Sequence, residues 1–301
     1  MRAAGIGLKV HSSVLNAVLD EAPDKLLYHY TDQNGLLGII KSKEIWATHH
    51  QCLNDTQEFL YAKELVREEL EKRIPTADEG NRLFLEMMKA ALNGPGNEDV
   101  NLYVASFSEE PDSLSQWRAY GGSTSGFAVG FQCERLVLPE AFVLARCIYD
   151  PRGQSDVVGA IVSDVLARST TPGLLNTQDI VRVMLLFQLH AFALILKHPK
   201  FVDEKEWRIV SRVMMDDAPA FPIEDATRLD FRTGKSMLIP YRCVSLKGGD
   251  GSFLLKRVIV GPNPNPEQAH RSVQSLLKSK LSRRESGSID VQSSDIPYRN
   301  W

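Results

Sequence analysis

Glu206-Trp207-Arg208-Ile209-Val210-Ser211-Arg212-Val213 alternates with period two, so its successive side chains fall on opposite faces of a β-strand. The strand is preceded by an acidic cluster, Asp203-Glu204-Lys205-Glu206. Downstream, Ser236 to Tyr241 alternates in the same way, and Phe253 to Val260 is a strand closed by Gly261-Pro262. Pro266 to Ser279 is a helix with Val273, Leu276 and Leu277 inward, and the last strand falls within Ile289 to Ile296.

Upstream, Leu26 to Thr31, Glu44 to Thr48, Asn101 to Ser108, Ser125 to Phe131 and Phe142 to Tyr149 read as strands. Helical spacing covers Leu36 to Ser42, a helix starting at Asp55 with Glu58 in a capping box, Glu79 to Leu92, and the ranges 154–168 and 177–198. The helix from Asp55 and the one ending at Leu92 read as a hairpin between two sheet segments. Strands are mixed with helical insertions, and no regular βαβ alternation appears. The fold class is therefore α+β with mixed, mostly antiparallel sheets. Residues 1–22 read as an N-terminal helix or arm. Residues 23–301 read as a single domain with helical insertions near 55–92 and 154–198.

Among 301 residues, 35 Lys+Arg stand against 38 Asp+Glu, for a net charge of −3, and 43% of residues are apolar. These values exclude a collagen, a disordered tail, a disulfide scaffold and a polytopic membrane protein. They also argue against a non-specific nucleic-acid coat. The cysteines at 52, 133, 147 and 243 are too far apart for a CxxC motif and read as reduced thiols. With no apolar leader apparent, a cytoplasmic location is expected. The apolar window Val181 to Leu196 contains Arg182, Gln188 and His190 and reads as a buried core helix, so no membrane association is expected.

Three segments carry candidate chemistry. His29, with Tyr28 and Tyr30, sits inside an aromatic strand, where a histidine is either packed or presented to a ligand. Ser106 and Ser108 share one strand face. They precede Gln116-Trp117-Arg118-Ala119-Tyr120-Gly121-Gly122, which reads either as a turn with a cation–π pair or as a pocket wall for a planar polar ligand. Glu204 and Glu206 would share a face with Lys205 opposite. They are either catalytic carboxylates or a charged strand start in which Glu206 pairs with Arg208. Asn54-Asp55 reads as a helix cap that could also line a cleft. His49-His50-x-Cys52 lacks a second ligand pair and reads as a polar loop rather than a metal site. Arg271, Lys278, Lys280, Arg283 and Arg284 read as a solvated helix face.

The strings LLYHYT, GLLGIIKSKEIWAT, CLNDTQE, SFSEEPDSLSQWRAYGGSTSGFAVGF, FVDEKEWRIV and IPYR, in this order, resemble the DUF2971 family of bacterial and phage-related proteins from about Leu26 to Trp301. More distantly, a strand His, a Ser-x-Ser strand, an aromatic and a late Glu resemble the ADP-ribosyltransferase superfamily, including its DarT-like toxins. That second resemblance implies a split ADP-ribosyltransferase-like core. It also implies an NAD-dependent glycosyltransferase or NAD glycohydrolase of toxin or phage-defence type, acting on a nucleic-acid or protein acceptor. A neutralising partner is possible in that setting. It further implies NAD as substrate, no metal, Glu206 in preference to Glu204 as the catalytic carboxylate because Glu206 begins the alternating strand, and His29 on the ribose or carboxamide. Ser106 and Ser108 would brace the nicotinamide, Tyr120 or Trp117 would stack on it, and Arg118 would hold the pyrophosphate. Tyr30 and Asn54 would complete the pocket. The alternative is a non-catalytic module that binds a nucleotide or RNA end in the same pocket, or an interaction scaffold.

Overall fold

The structure is a computed structural model, and it describes residues 13–53, 57–93, 101–120, 126–169, 185, 188–190, 192–211 and 227–297. Its strands are β1 (Leu27–Thr31), β2 (Glu44–His49), β3 (Tyr103–Ser108), β4 (Phe127–Phe131), β5 (Phe142–Arg146), β6 (Glu206–Ser211), β7 (Leu229–Thr233), β8 (Leu238–Ser245), β9 (Leu255–Val260) and β10 (Asp290–Ser293). Its helices are α1 (Ser13–Asp20), α2 (Gln33–Ser42), α3 (Gln57–Arg73), α4 (Glu79–Ala91), α5 (Leu114–Tyr120), α6 (Pro151–Ser169), α7 (Pro266–Lys280) and α8 (Arg283–Gly287).

Local chemistry sets several of these boundaries. The Asp32 carboxylate accepts the Gly35 N–H at 2.8 Å and starts α2, and Lys43 in the left-handed region ends it. Asp78 caps α4 in the same way, accepting from Asn81 N–H at 3.0 Å. The Asn54-Asp55 cap, positions 212–213 of the strand starting at Glu206, and residues 177–184 lie outside the described residues.

All ten strands form one open sheet, ordered β10-β9-β4-β1-β3-β2-β8-β7, with β6 joining β3 to β5. Every pairing is antiparallel except β9–β10. The fold is thus mixed α+β on a mostly antiparallel sheet, with α3 and α4 as the hairpin between strands β2 and β3.

The sheet has two differently covered faces. Leu27, Phe107, Val129, Ile209 and Val258 bury one face against Ile39 and Ile40 of α2 and Val273 and Leu277 of α7. On the other face, Val104, Ala145 and Val210 lie under a helical layer that includes Val66 and Leu70 of α3, Leu85 of α4 and Ile161 of α6. Farther along this second face, Trp117 of α5 covers Tyr28, Tyr30, Ala128 and Ile259. Between the helical layer and α5 the sheet is left uncovered.

At that gap the sheet also divides. One edge of β3 pairs with β6 from Val104↔Val210 to Ser108↔Glu206. The other edge is shared: β2 takes Tyr103 and Val104, and β1 takes only Ser108. Strands β1 and β2 therefore diverge along the middle of β3, beside Ser106.

Two sequence expectations change here. Leu114 to Gly122, read as a turn or pocket wall, contains the helix α5, because Ser113 begins an α-turn that Trp117 N–H closes at 3.0 Å. The alternation seen over Ser236–Tyr241 belongs partly to a hairpin. Gly234 N–H bonds Met237 at 2.9 Å to form its turn, and strand β8 runs on to Ser245, paired to the unforeseen β7.

Gly130 pairs directly with Tyr28, whose ring lies over it. A Cβ there would sit 2.7 Å from Tyr28 Cε1. Gly130→Ala is expected to cost about 1–3 kcal/mol by overpacking, measured by urea denaturation. A neutral result would mean that the Tyr28 ring is not fixed against the strand.

Candidate functional site

The uncovered gap forms a cleft of about 350 Å³, part of it open to solvent. Its lining is Tyr28, His29 and Tyr30 from β1, Ser106, Phe107 and Ser108 from β3, Gln116 and Tyr120 from α5, and Glu204 and Glu206 around the start of β6.

His29 fills the fork between β1 and β2. Even-numbered residues of β3 direct their backbone groups toward this edge, as Leu102 does in accepting His50 N–H at 2.8 Å. Where β1 has pulled away, the Ser106 carbonyl is bonded instead by His29 Nδ1 at 2.8 Å. A carbonyl only accepts, so Nδ1 carries the hydrogen and the neutral ring leaves Nε2 as an acceptor. Burial pushes the His29 pKa down, partly opposed by that hydrogen bond, and the ring is neutral at pH 7.

Ser106 and Ser108 share the cleft face but differ in use. Ser108 is buried; its hydroxyl donates to Glu204 O at 2.7 Å and accepts from Glu110 N–H at 3.0 Å. It is a strut between β3 and the turn before β6. Tyr30 is a second strut. Its hydroxyl donates to Glu110 O at 2.7 Å and accepts from Ser113 N–H at 3.1 Å, fixing the segment that leads into α5.

The acids come together through a backbone device. Residues Pro199–Glu204 form a 3-10 turn, and Lys205, at φ 42°, occupies the left-handed region before β6 begins. That conformation is uncommon for a residue with a Cβ. It sends Glu204 and Glu206 toward Lys197, while Lys205 turns away to pair with Glu110. The shared side of the two acids thus comes from a kinked turn rather than from strand alternation.

Behind the acids lies a buried charge network. Arg208 grips Glu58 of α3 in two-pronged fashion, Nη1 to Oε2 at 2.5 Å and Nη2 to Oε1 at 2.7 Å. Its Nε donates to Glu206 Oε1 at 2.7 Å, and Nη1 also reaches Leu194 O at 2.6 Å. Lys197 bonds both Glu204 and Glu206 and lies 3.8 Å from Glu58. Three carboxylates against two cations leave one negative charge in the network. Burial alone would raise the Glu206 pKa, but Arg208 and Lys197 overcome it and hold the group at about 2. Lys197 is correspondingly raised despite its burial.

Helix α5 contributes two residues spaced i, i+4, which share a helical face. Gln116 is only 8% exposed, and its amide has no hydrogen-bond partner among the described residues. Tyr120 stands 44% exposed at the rim, its pKa raised by burial and by the charge of Glu206.

Of the residues singled out in the sequence, His29, Tyr30, Ser106, Ser108, Tyr120, Glu204 and Glu206 line this one cleft. Trp117 and Arg118 do not. Trp117 is 4% exposed, edge-on to Tyr30, with Nε1 donating to Asp112 at 2.6 Å. Arg118 is exposed outside the lining. Asn54 falls outside the described residues. Lys197 was not singled out, Gln116 was read only as part of its segment, and Glu58 was read as a capping-box residue, whereas its carboxylate is taken by Arg208. Their signals were the i, i+4 spacing of Gln116 with Tyr120, a lysine ending an apolar run, and a glutamate on the same helical side as Ala62 and Val66. His49 lies against Tyr103 and bonds Asn101 at 3.2 Å, and no group of three potential metal ligands exists among the described residues. No helix among them is long and apolar enough to cross a membrane.

A folded-state Glu206 pKa of about 2, against an ordinary 4.5, adds stability above pH 4.5 that is lost as pH falls toward 2. Acid titration of the melting temperature should show this loss. Glu206→Gln should be less stable at neutral pH and should lose less in that window. An unchanged acid profile in the variant would remove the network from the stability balance.

No curated protein and no solved structure matches the chain. Residues 116–209, from Gln116 in α5 through Ile209 in β6, match the model of a family described as "Protein of unknown function (DUF2971)". They carry Gln116, Tyr120, Lys197, Glu204, Glu206 and Arg208, and over this stretch the chain is similar to the DUF2971 family.

Proposed function

We propose that the cleft receives the nicotinamide–ribose end of NAD and that the protein is an ADP-ribosyltransferase or NAD glycohydrolase. The acceptor would be a nucleic acid, a protein or water. The observation that carries this reading is a single small cleft that joins a neutral histidine, a nearly buried and unpartnered amide, a rim tyrosine and a carboxylate. Gln116 complements a carboxamide, which both donates and accepts hydrogen bonds. Tyr120 offers a ring at the rim for a planar heterocycle.

In the reaction, the bond from the ribose C1′ to the pyridinium nitrogen breaks. Its electron pair leaves with nicotinamide, and the acceptor atom bonds C1′. Positive charge develops on the sugar, and a nearby carboxylate stabilises it. Glu204 fits this role because Lys197 engages only its Oε2, whereas both oxygens of Glu206 are held by Lys197 and Arg208. Glu206 then acts as a positioning residue through Lys197. The toxin or phage-defence setting and a neutralising partner rest on the sequence resemblance alone.

A second reading, a non-catalytic module for a nucleotide or RNA end, is favoured by the full pairing of Glu206. One experiment separates the two readings. Purified protein is incubated with NAD, nicotinamide release is followed by chromatography, and NAD binding is followed by calorimetry. The enzyme reading expects release that falls about 10²–10³-fold in Glu204→Gln with folding retained. It also expects weaker NAD binding in Gln116→Ala. Binding without release supports the module, and neither binding nor release sinks both readings.

A further inference from the structure

We propose that β7 is a self-pairing edge through which two copies of this chain join their sheets antiparallel about a two-fold axis at Phe231. Strand β7 ends the sheet and has a neighbour, β8, on one side only among the described residues. An unpaired strand edge is a template for another strand. Cys243 N–H bonds Arg228 O at 3.3 Å and Gly234 N–H bonds Met237 O at 2.9 Å, so even-numbered residues face β8. The backbone groups of Leu229, Phe231 and Thr233 accordingly face away from it.

The side chains fit this occupant. In an antiparallel register centred on Phe231, Leu229 meets Thr233 of the second copy, Phe231 meets Phe231, and Asp230 meets Arg232. The Leu-Asp-Phe-Arg-Thr sequence therefore reads as charge-complementary to itself, and opposite charges directly across a strand pair are favourable. One face of the joint would be apolar. Leu229 (38% exposed), Phe231 (54%) and Leu238 (66%) lie on it uncovered. The other face would be the ion pairs.

Arg232 supplies an independent observation. Its Nε is buried without a partner, and its Nη2 reaches only Thr48 Oγ1 at 3.4 Å. Its like-charged neighbour Arg228 takes Asp230 at 3.3 Å. A second copy would bring a carboxylate to Arg232. In the single chain, Asp230 Oδ1 also accepts the Phe231 N–H at 2.8 Å, covering the donor that the two-fold pairing uses. On association this carboxylate would release that N–H to the second strand and turn to Arg232. Such a joint is isologous and closes on itself, giving dimers rather than fibres.

The test is sedimentation equilibrium of the full chain over a concentration series up to about 100 μM, where weak dimers are still seen. The expected result is a monomer–dimer equilibrium. Asp230→Arg alone and Arg232→Asp alone each set like charges opposite one another and should weaken it roughly tenfold or more. The double exchange, Asp230→Arg with Arg232→Asp, should restore it, and circular dichroism should report unchanged folding in all three. Phe231→Lys should abolish the dimer. A monomer at every concentration overturns the proposal, as does a dimer indifferent to the single exchanges. A double exchange that fails to restore association overturns the register.

Discussion

Arg208 is the point at which the two halves of the molecule are tied. Its guanidinium holds Glu58 of the helical layer with one pair of hydrogen bonds and Glu206 of its own strand with others. Lys197 closes the network from the other side. Taking such charges out of water is expensive, and only near-complete hydrogen bonding compensates. The network therefore works as a constraint more than as a source of stability. Any rotation of the helices against the sheet would leave a buried charge unpaired, at a cost of about 3–5 kcal/mol. The cleft walls inherit that fixed geometry, because Glu204 and Glu206 belong to both the network and the lining.

The second constraint is the fork in the sheet. A strand that shares one edge between two partners leaves backbone groups without a ladder where the partners diverge, and buried backbone groups must find partners elsewhere. His29 supplies one for Ser106. The same act fixes the ring's tautomer at the border of the cleft. A packed histidine and a ligand-facing histidine were separate readings in the sequence; the ring is packed, 5.9 Å from Phe107 and bonded to the Ser106 carbonyl, in a residue that borders the cleft.

Helix α5 shows how a misread element misplaces residues. As a pocket wall read without its helix, Gln116 to Tyr120 offers every side chain to a ligand. As a helix, it divides them, Gln116 and Tyr120 to the cleft and Trp117 to the sheet beneath. Glu206 shows the converse. Its pairing with Arg208 was legible from their i, i+2 spacing, because side chains two apart on a strand share a face. That this face is buried against Glu58, about 150 positions away, was not.

The sequence by itself determined most of the strands and helices, the α+β class, and several of the polar residues that gather at the cleft, since periodicity and turn chemistry act over a few neighbours. Only the tertiary structure decided that the sheet forks at β3, that Lys197 and Arg208 hold Glu204 and Glu206 together with Glu58, and that Gln116 rather than Trp117 lines the cleft. The physical reason is that burial and charge pairing depend on which distant segments meet, and no local pattern along the chain records those meetings.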